Sequence, residues 1–377
     1  MYRGGAIMTR KLSLLLGLIV FISFILTGCN SNNNEENLQA NNSDEIIELT
    51  DMVGRKITLE RPVERVVAVG SALRLYTYIN GTNKLVGVER GQQSPDTGRP
   101  YIIANPDLQE LPIVGEGFPA TPDPELLIEA EADVIIAGDI VDIGEIEDLE
   151  KRTGTTIVVI TTGNEAVFDK EMYESLKIIG KVIGKENRAE ELIEYMEDCK
   201  TELMELTKNI PQEEKPSIYI GGLSYKGNHG IESTYGNSPV LDAIGAKNVA
   251  DEIGKAGSIM VDKEQIIEWD PDIIVIDENG LPLVKEDYEK NPDYYNGLTA
   301  IRNGQVYGQL PYISYYNNIE TAMADIYFLG KILYPKAFEN IDVEEKADEI
   351  YEFILGKPLY GEMAEIFGGY IKINLNK

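Results

Sequence analysis

Ile128-Glu129, then Asp133-Val134-Ile135-Ile136, recurs 139 residues later as Ile267-Glu268, then Asp272-Ile273-Ile274-Val275. Each copy runs from a helix end through an aspartate into an apolar, β-branched run of strand length. One short match at a fixed offset says little alone, but the surroundings repeat too. Strand signals at Arg65-Val66-Val67-Ala68-Val69, Lys84-Leu85-Val86-Gly87-Val88, Val134-Ile135-Ile136-Ala137 and Ile157-Val158-Val159-Ile160 alternate with helical stretches. That alternation predicts a parallel sheet covered on both faces. Helical patterns over 168–183 and 187–206 then interrupt it, and Pro211 and Pro216 close the second. Strand signals restart at Ile218-Tyr219-Ile220 and Ile273-Ile274-Val275-Ile276, and helices near 320–333 and 343–355 finish the chain. The fold class is therefore α/β, with two similar lobes joined by a long interdomain helix. A ligand crevice is expected between them, at strand C-terminal ends.

Composition narrows the function. The 377 residues carry 34 Lys and Arg against 64 Asp and Glu, a formal charge of −30. No positive field exists to meet nucleic-acid phosphates, so no nucleic-acid partner is expected. Two cysteines cannot build a four-cysteine zinc site or a disulfide framework. The lone histidine, His229, excludes H-E-x-x-H zinc hydrolysis. The sequence contains no phosphate-cradling G-x-x-x-x-G-K, no G-x-S-x-G and no G-x-G-x-x-G after a strand. Neither an enzyme nor a bound cofactor is expected.

Residues 1–28 hold Arg3, Arg10 and Lys11, no acid, and an apolar run over 12–26. This reads as a secretory signal rather than a membrane span. Leu26-Thr27-Gly28-Cys29 resembles a bacterial lipobox, which implies acylation of Cys29 and an extracytoplasmic, membrane-anchored protein. Residues 30–45 carry seven asparagines and little that is apolar, as expected of a flexible tether. The expected organisation is a signal over 1–28, an acylated cysteine and tether over 29–47, one lobe over 48–165, linking helices over 166–212 and a second lobe over 213–377.

Three patches have the chemistry of a binding cleft. Ser71, Arg74, Tyr76 and Tyr78 follow the first strand, where first helical amides and a guanidinium would favour an anion. Residues 221–235 follow the first strand of the second lobe and concentrate glycines with Tyr225, Lys226, His229 and Tyr235. Phenol and imidazole groups can ligate iron, or hydrogen-bond and stack on an organic ligand. Residues 309–318 add Tyr312 and Tyr315, and part of the excess of 21 Tyr over 8 Phe falls here. Arg90 and Arg99 are weaker candidates. Whether any side chain binds metal directly is open at this point.

Together these features resemble the substrate-binding lipoproteins of ABC importers, in the class that receives iron–siderophore complexes, haem or vitamin B12. The resemblance rests on Thr50-Asp51-Met52-Val53-Gly54-Arg55, Pro62-Val63-Glu64-Arg65, Leu111-Pro112-Ile113-Val114-Gly115, Asp123-Pro124-Glu125, Gly245-Ala246-Lys247-Asn248-Val249 and Trp269-Asp270-Pro271-Asp272. It implies a monomeric receptor whose linking helix limits hinge motion, with a metal-complex ligand and an ABC permease as partners. Siderophore, cobalamin, haem and an oxyanion such as molybdate are alternatives for that ligand. The resemblance also implies that each lobe presents an acid to arginines of the permease. The first-lobe pattern reads Asp123-Pro124-Glu125 here, which assigns Glu125. The second-lobe Leu-Glu pair reads Leu241-Asp242, so Asp242 is one methylene shorter than the pattern.

Overall fold

The computed structural model describes residues 46–94, 98–117, 120–138, 140–163 and 167–375. The expected signal, Cys29 and most of the tether lie outside them. The chain opens with strands β1 (Ile46–Thr50) and β2 (Lys56–Glu60), paired antiparallel with Ile46 opposite Glu60. Ile47, Ile57 and Leu59 turn inward at the strand period of two. The first lobe then runs β3 (Val66–Val69), α1 (Ala72–Tyr78), β4 (Leu85–Gly87), α2 (Pro100–Ala104), α3 (Pro124–Glu129), β5 (Val134–Ala137), α4 (Ile143–Thr153) and β6 (Thr156–Val159). Its sheet is parallel in the order β4-β3-β5-β6. Every residue of β3 and β5 is buried, as a sheet covered on both faces requires.

Two helices follow, α5 (Lys170–Ile183) and α6 (Glu186–Thr207). The Asp169 carboxylate caps α5 by accepting from Glu171 N and Met172 N, and Gly184 ends it at φ 72°. Helix α6 is 22 residues long, about 33 Å at the standard rise.

The second lobe contains β7 (Ser217–Gly221), β8 (Ser233–Gly236), α7 (Pro239–Asp242), β9 (Lys247–Asn248), β10 (Gly257–Met260), α8 (Lys263–Trp269), β11 (Ile273–Asp277), α9 (Leu281–Lys290), α10 (Pro292–Gly297), α11 (Thr299–Arg302), β12 (Val306–Gln309), α12 (Ile319–Leu333), α13 (Val343–Leu355), α14 (Tyr360–Phe367) and β13 (Ile371–Lys372). Its main sheet has the order β13-β12-β11-β7-β9, parallel except for β13 at one edge. Strands β8 and β10 pair separately and antiparallel.

The repeated aspartates have the same structural job in both lobes. Asp133, just before β5, accepts from the backbone N–H of Glu64 and Arg65, both at 2.8 Å, at the entrance to β3. Asp272, just before β11, accepts from Ser217 N at 2.8 Å and Ser217 Oγ at 2.7 Å at the entrance to β7. Asp133 thereby satisfies two backbone amides at a strand start, and Asp272 one amide and a hydroxyl.

The apolar core does not stop at the lobe boundary. Val66 and Leu73 of the first lobe, Met172 and Met196 of the linking helices, and Val275, Ile326 and Ile350 of the second lobe belong to one contiguous cluster. Helices α12 and α13 pack across the boundary as well. Tyr78 on α1 donates to the Glu320 carboxylate on α12. Arg188 on α6 donates to the Tyr78 carbonyl at 3.1 Å and the Phe353 carbonyl at 2.5 Å. A shared core of this kind resists wide opening of the lobes.

Candidate ligand-binding site

The loop leaving β7 is shaped by close backbone approaches. Gly222 sits at φ 80°, and a Cβ on Gly280 would lie 2.4 Å from the Gly222 carbonyl oxygen and 2.5 Å from that of His229. Only glycine fits there. Tyr219 in β7 ties the far end by donating to the Ile231 carbonyl at 2.6 Å. At the tip, Lys226 adopts φ 56° and Tyr225 N donates to the Gly227 carbonyl at 2.9 Å. The tip connects to β11 through hydrogen bonds from Asn279 Nδ2 to Ser224 Oγ at 3.4 Å and from Asn279 N to Asp277 Oδ1 at 3.1 Å.

A second turn enters from β12. Ile313 and Asn317 form an isolated antiparallel bridge, and between them Tyr315 and Tyr316 adopt φ 52° and 69°. Consecutive left-handed tyrosines are strained and need external support. Asn318 supplies part of it, donating from Nδ2 to the carbonyls of Tyr312, Ser314 and Gly98, each at 3.2 Å.

These two turns and β10 enclose a cavity of about 830 Å³. Tyr225, Tyr235, Tyr315 and Tyr316 line it, together with hydroxyl and amide side chains such as Ser258 and Asn279. Among the described lining residues Lys226 is the one charged side chain, and Thr162, just past β6, is the one residue from the first lobe. The surface is aromatic and hydrogen-bonding, with no carboxylate in the described lining.

The structure brings together four of the expected site residues, Tyr225, Lys226, Tyr235 and Tyr315. Four others lie elsewhere. His229 is half-buried outside the lining, its Nε2 donating to the Tyr225 carbonyl at 2.8 Å, so it braces the loop. Tyr312 is 1% exposed. Ser71 and Arg74, expected in the cleft, are enclosed instead, each 1% exposed. The reason is packing. Helix α1 begins two residues after β3 with all seven of its residues buried, and Ser71 presses on the end of β5 so tightly that a Cβ on Gly138 would fall 2.3 Å from its Oγ. Arg74 lies over the Tyr101 ring at 5.1 Å and beneath the Tyr315 turn. Of the weaker candidates, Arg90 pairs with Glu116 at the surface, and Arg99 is buried against Gln92 and the Tyr315 ring. Sequence reasoning missed Asn279 and Ser258. Asn279 follows the C-terminal end of a legible strand and could have been found by that rule. Ser258 lies in a short exposed-edge strand with no strong pattern.

Below the cavity the second lobe buries four carboxyl groups, Asp277, Glu278, Glu320 and Asp325. Burial pushes Asp277 and Asp325 well above the ordinary carboxylate range, and neighbouring acids add to it. Glu278 is pushed up to about 8, chiefly by burial, although Gly369 N donates to it at 2.9 Å. Burial raises Glu320 too, opposed by the Arg74 charge and the Tyr78 hydrogen bond. Among the described residues no group of three or more His, Cys, Asp or Glu side chains is arranged to hold a metal ion. Cys199 is a buried free thiol whose pKa burial raises.

Glu125 is exposed in the first turn of α3, which Asp123 caps by accepting from Glu125 N at 2.9 Å. Asp242 is exposed at the end of α7, where partial burial and then Asp251 hold its carboxyl above the usual range. Among the described residues no helix is long and apolar enough to cross a membrane.

Two α/β lobes share a core, and the cavity lies at strand C-terminal ends. Residues 82–310 match the periplasmic binding protein family, and the chain belongs to it, within the class of solute-binding receptors that serve ABC importers. The Bacillus subtilis protein YvrC, an uncharacterized ABC transporter substrate-binding lipoprotein, is 22% identical over 77% of this chain and 87% of its own length. The Fe(3+)-citrate-binding protein YfmC of the same species is 22% identical over 79% of this chain and 89% of its own. Among solved structures, the molybdate-binding protein MolA of Haemophilus influenzae superposes with a TM-score of 0.65 at 20% identity, covering 84% of this chain and 99% of that one.

Proposed function

We propose that this receptor captures an oxygen-rich, neutral or anionic metal complex, of the ferric siderophore or hydroxycarboxylate type, and delivers it to an ABC permease. The observation that carries the reading is the chemistry of the cavity. In a chain of net charge −30, the described lining holds one cation, Lys226, and no carboxylate. A bare metal ion would find no anionic ligand set there. A complexed metal would find tyrosine faces and hydroxyl and amide donors. The volume of about 830 Å³ suits an organic complex better than a small oxyanion. The names of YfmC and MolA point to ferric citrate and molybdate as the probes to compare first. Cys29 would tether the receptor to the outer face of the membrane, and the exposed acids Glu125 and Asp242 would meet permease arginines.

Thermal unfolding against ferric citrate, ferrioxamine B, haem, cobalamin and molybdate tests the ligand. A probe at about 100 times its Kd adds about 2.7 kcal/mol of stability. Stabilisation by molybdate alone would reverse the reading. Retention of a Cys29→Ser protein on membranes through its N-terminus would remove the anchor.

A further inference from the structure

We propose that Arg74, on the first lobe, is a positioning residue for the cavity: its guanidinium clasps the turn at 314–316 of the second lobe and so presents Tyr315 and Tyr316 to the ligand. This rests on the reading of the cavity as the ligand site. Arg74 Nη2 donates to the Ser314 carbonyl at 3.2 Å and also to the Tyr315 carbonyl. Its Nε and Nη1 have no hydrogen-bond partner among the described residues. The charge also acts on the buried Glu320 carboxyl, but the described hydrogen-bond acceptors of the guanidinium are the two turn carbonyls. Burying a charge is costly unless it is compensated, so the carbonyl dipoles also hold Arg74. The Tyr101 ring beneath it adds a cation–π contact.

The clasp acts where the backbone needs it. Tyr315 and Tyr316 both have positive φ, a sparsely populated conformation for tyrosine that persists only when its surroundings hold it, and Arg74 holds the carbonyls of Ser314 and Tyr315 beside it. The first lobe also receives the side chain. Tyr315 OH donates to Glu89 Oε2 at 3.4 Å, and the Arg99 guanidinium lies 5.4 Å from the Tyr315 ring. Gly91 and Gly117 leave room, since a Cβ on Gly117 would come within 3.3 Å of the Tyr315 hydroxyl. The turn is thus built by one lobe and fixed by the other. A planar guanidinium suits two neighbouring carbonyls, and a lysine ammonium could reach one or both as a point charge.

The test is amide hydrogen exchange of residues 313–318 in the full chain without ligand, comparing wild type with Arg74→Met and Arg74→Lys. Methionine keeps much of the apolar volume and removes the donors. Arg74→Met is expected to speed exchange in this segment about tenfold while leaving β3 and β11 protected. Arg74→Lys should recover at least half of that protection, which a purely space-filling role would not produce. Unchanged exchange in Arg74→Met overturns the clasp. Should Arg74→Met fail to fold, the wild-type measurement decides: unprotected amides at Ser314 and Asn318 overturn the proposal, and protection that Tyr315→Phe weakens only in this segment supports it. Ferric citrate titration of the same variants separates the two readings. Loosening of the turn with no binding even by wild type counts against the assigned ligand and for the clasp.

Discussion

The two lobes begin alike and then diverge. Strands β3 and β7 each open a parallel sheet, and each has its entrance held by an aspartate of the repeat, Asp133 or Asp272. Past β3 the chain takes two residues, Gly70 and Ser71, to enter a helix that is buried throughout. Past β7 it takes eleven residues to reach β8, and residues 225–228 at the tip are exposed beside the cavity. The general rule that ligands sit at strand C-terminal ends points to the end of the sheets where the cavity lies. It does not say which lobe furnishes the wall. Here the first lobe uses its strand end for packing and for clasping its neighbour, and the second supplies nearly all of the described lining.

The largest effect is expected from two glycines that lie shortly past the corresponding strands β5 and β11. Gly280→Ala would force its Cβ against the backbone of Gly222 and His229, and Gly138→Ala would force its Cβ against Ser71 Oγ and Ala72 N. Overpacking of this kind costs about 3 kcal/mol at the upper end of its usual range. Urea unfolding should show a loss in both variants. They should part in binding: whichever probe stabilises the wild type should lose affinity for Gly280→Ala and keep it for folded Gly138→Ala. Loss of binding in Gly138→Ala alone would place the working wall in the first lobe and break the comparison.

Next comes a pH effect confined to the second lobe. The folded-state value of Glu278 lies at about 8, above the ordinary glutamate value of about 4.3. Between those values the unfolded chain loses a proton that the native chain keeps, so stability falls as pH rises from about 4 to about 8. Asp277 and Asp325 are shifted in the same direction and extend the trend. Glu278→Gln should flatten part of that slope and add about 2 kcal/mol at pH 8, with little change at pH 4. Denaturant titrations at the two pH values measure it. An equal slope in wild type and variant would show that Glu278 is ionised in the folded protein.

The repeat itself predicts a smaller and symmetrical effect. Asp133→Ala and Asp272→Ala each leave strand-entrance donors without their acceptor, at about 1–2 kcal/mol each at these exposed edges. The two sites serve different lobes, so the double variant should be additive within about 0.5 kcal/mol. A strong effect at one site and none at the other would mean that the sequence echo is not a structural one.

These pairs also show what was legible in the sequence. Strands β3, β5, β6 and β11 are near-continuous Val and Ile runs, β7 carries Ile218-Tyr219-Ile220, and α5, α6, α12 and α13 are long enough to show a period, so their presence and order could be read directly. Helices α7, α10 and α11 run four to six residues, and β9 and β13 only two, too short for any period to emerge. Tyr225, Lys226, Tyr235 and Tyr315, the expected residues that line the cavity, stand in glycine-rich or tyrosine-rich loops that follow clear strands. Ser71 and Arg74 were misplaced because the symmetry was extended to the loops. The apolar residues Ala72, Leu73 and Leu75 around Arg74 are the local signal that this helix is enclosed. The clasp on Tyr315 pairs residues 241 apart and leaves no local pattern at all.

The smallest effect on the folded protein is expected at Glu125 and Asp242, the acid each lobe would offer to the permease. Both side chains are exposed, and surface substitutions away from special features usually stay within about 0.5 kcal/mol. Glu125→Arg loses a favourable acid in the first turn of α3, and the Asp123 cap remains. Asp242→Arg relieves the nearby Asp251 charge, so its stability should be unchanged or slightly raised. Ligand affinity in solution should be unchanged in both, since neither residue is in the cavity lining. Transport is where they should register. Charge-steered encounter depends on the sum of both contacts, so each reversal should slow uptake and ligand-stimulated ATP hydrolysis several-fold, and the pair more. The shorter Asp242 side chain, already holding its proton more tightly than usual, should contribute less than Glu125. Higher salt should shrink the gap between wild type and variants, because screening removes the same attraction. If the combined Glu125→Arg and Asp242→Arg protein transports at the wild-type rate in low salt, the docking faces lie elsewhere on both lobes.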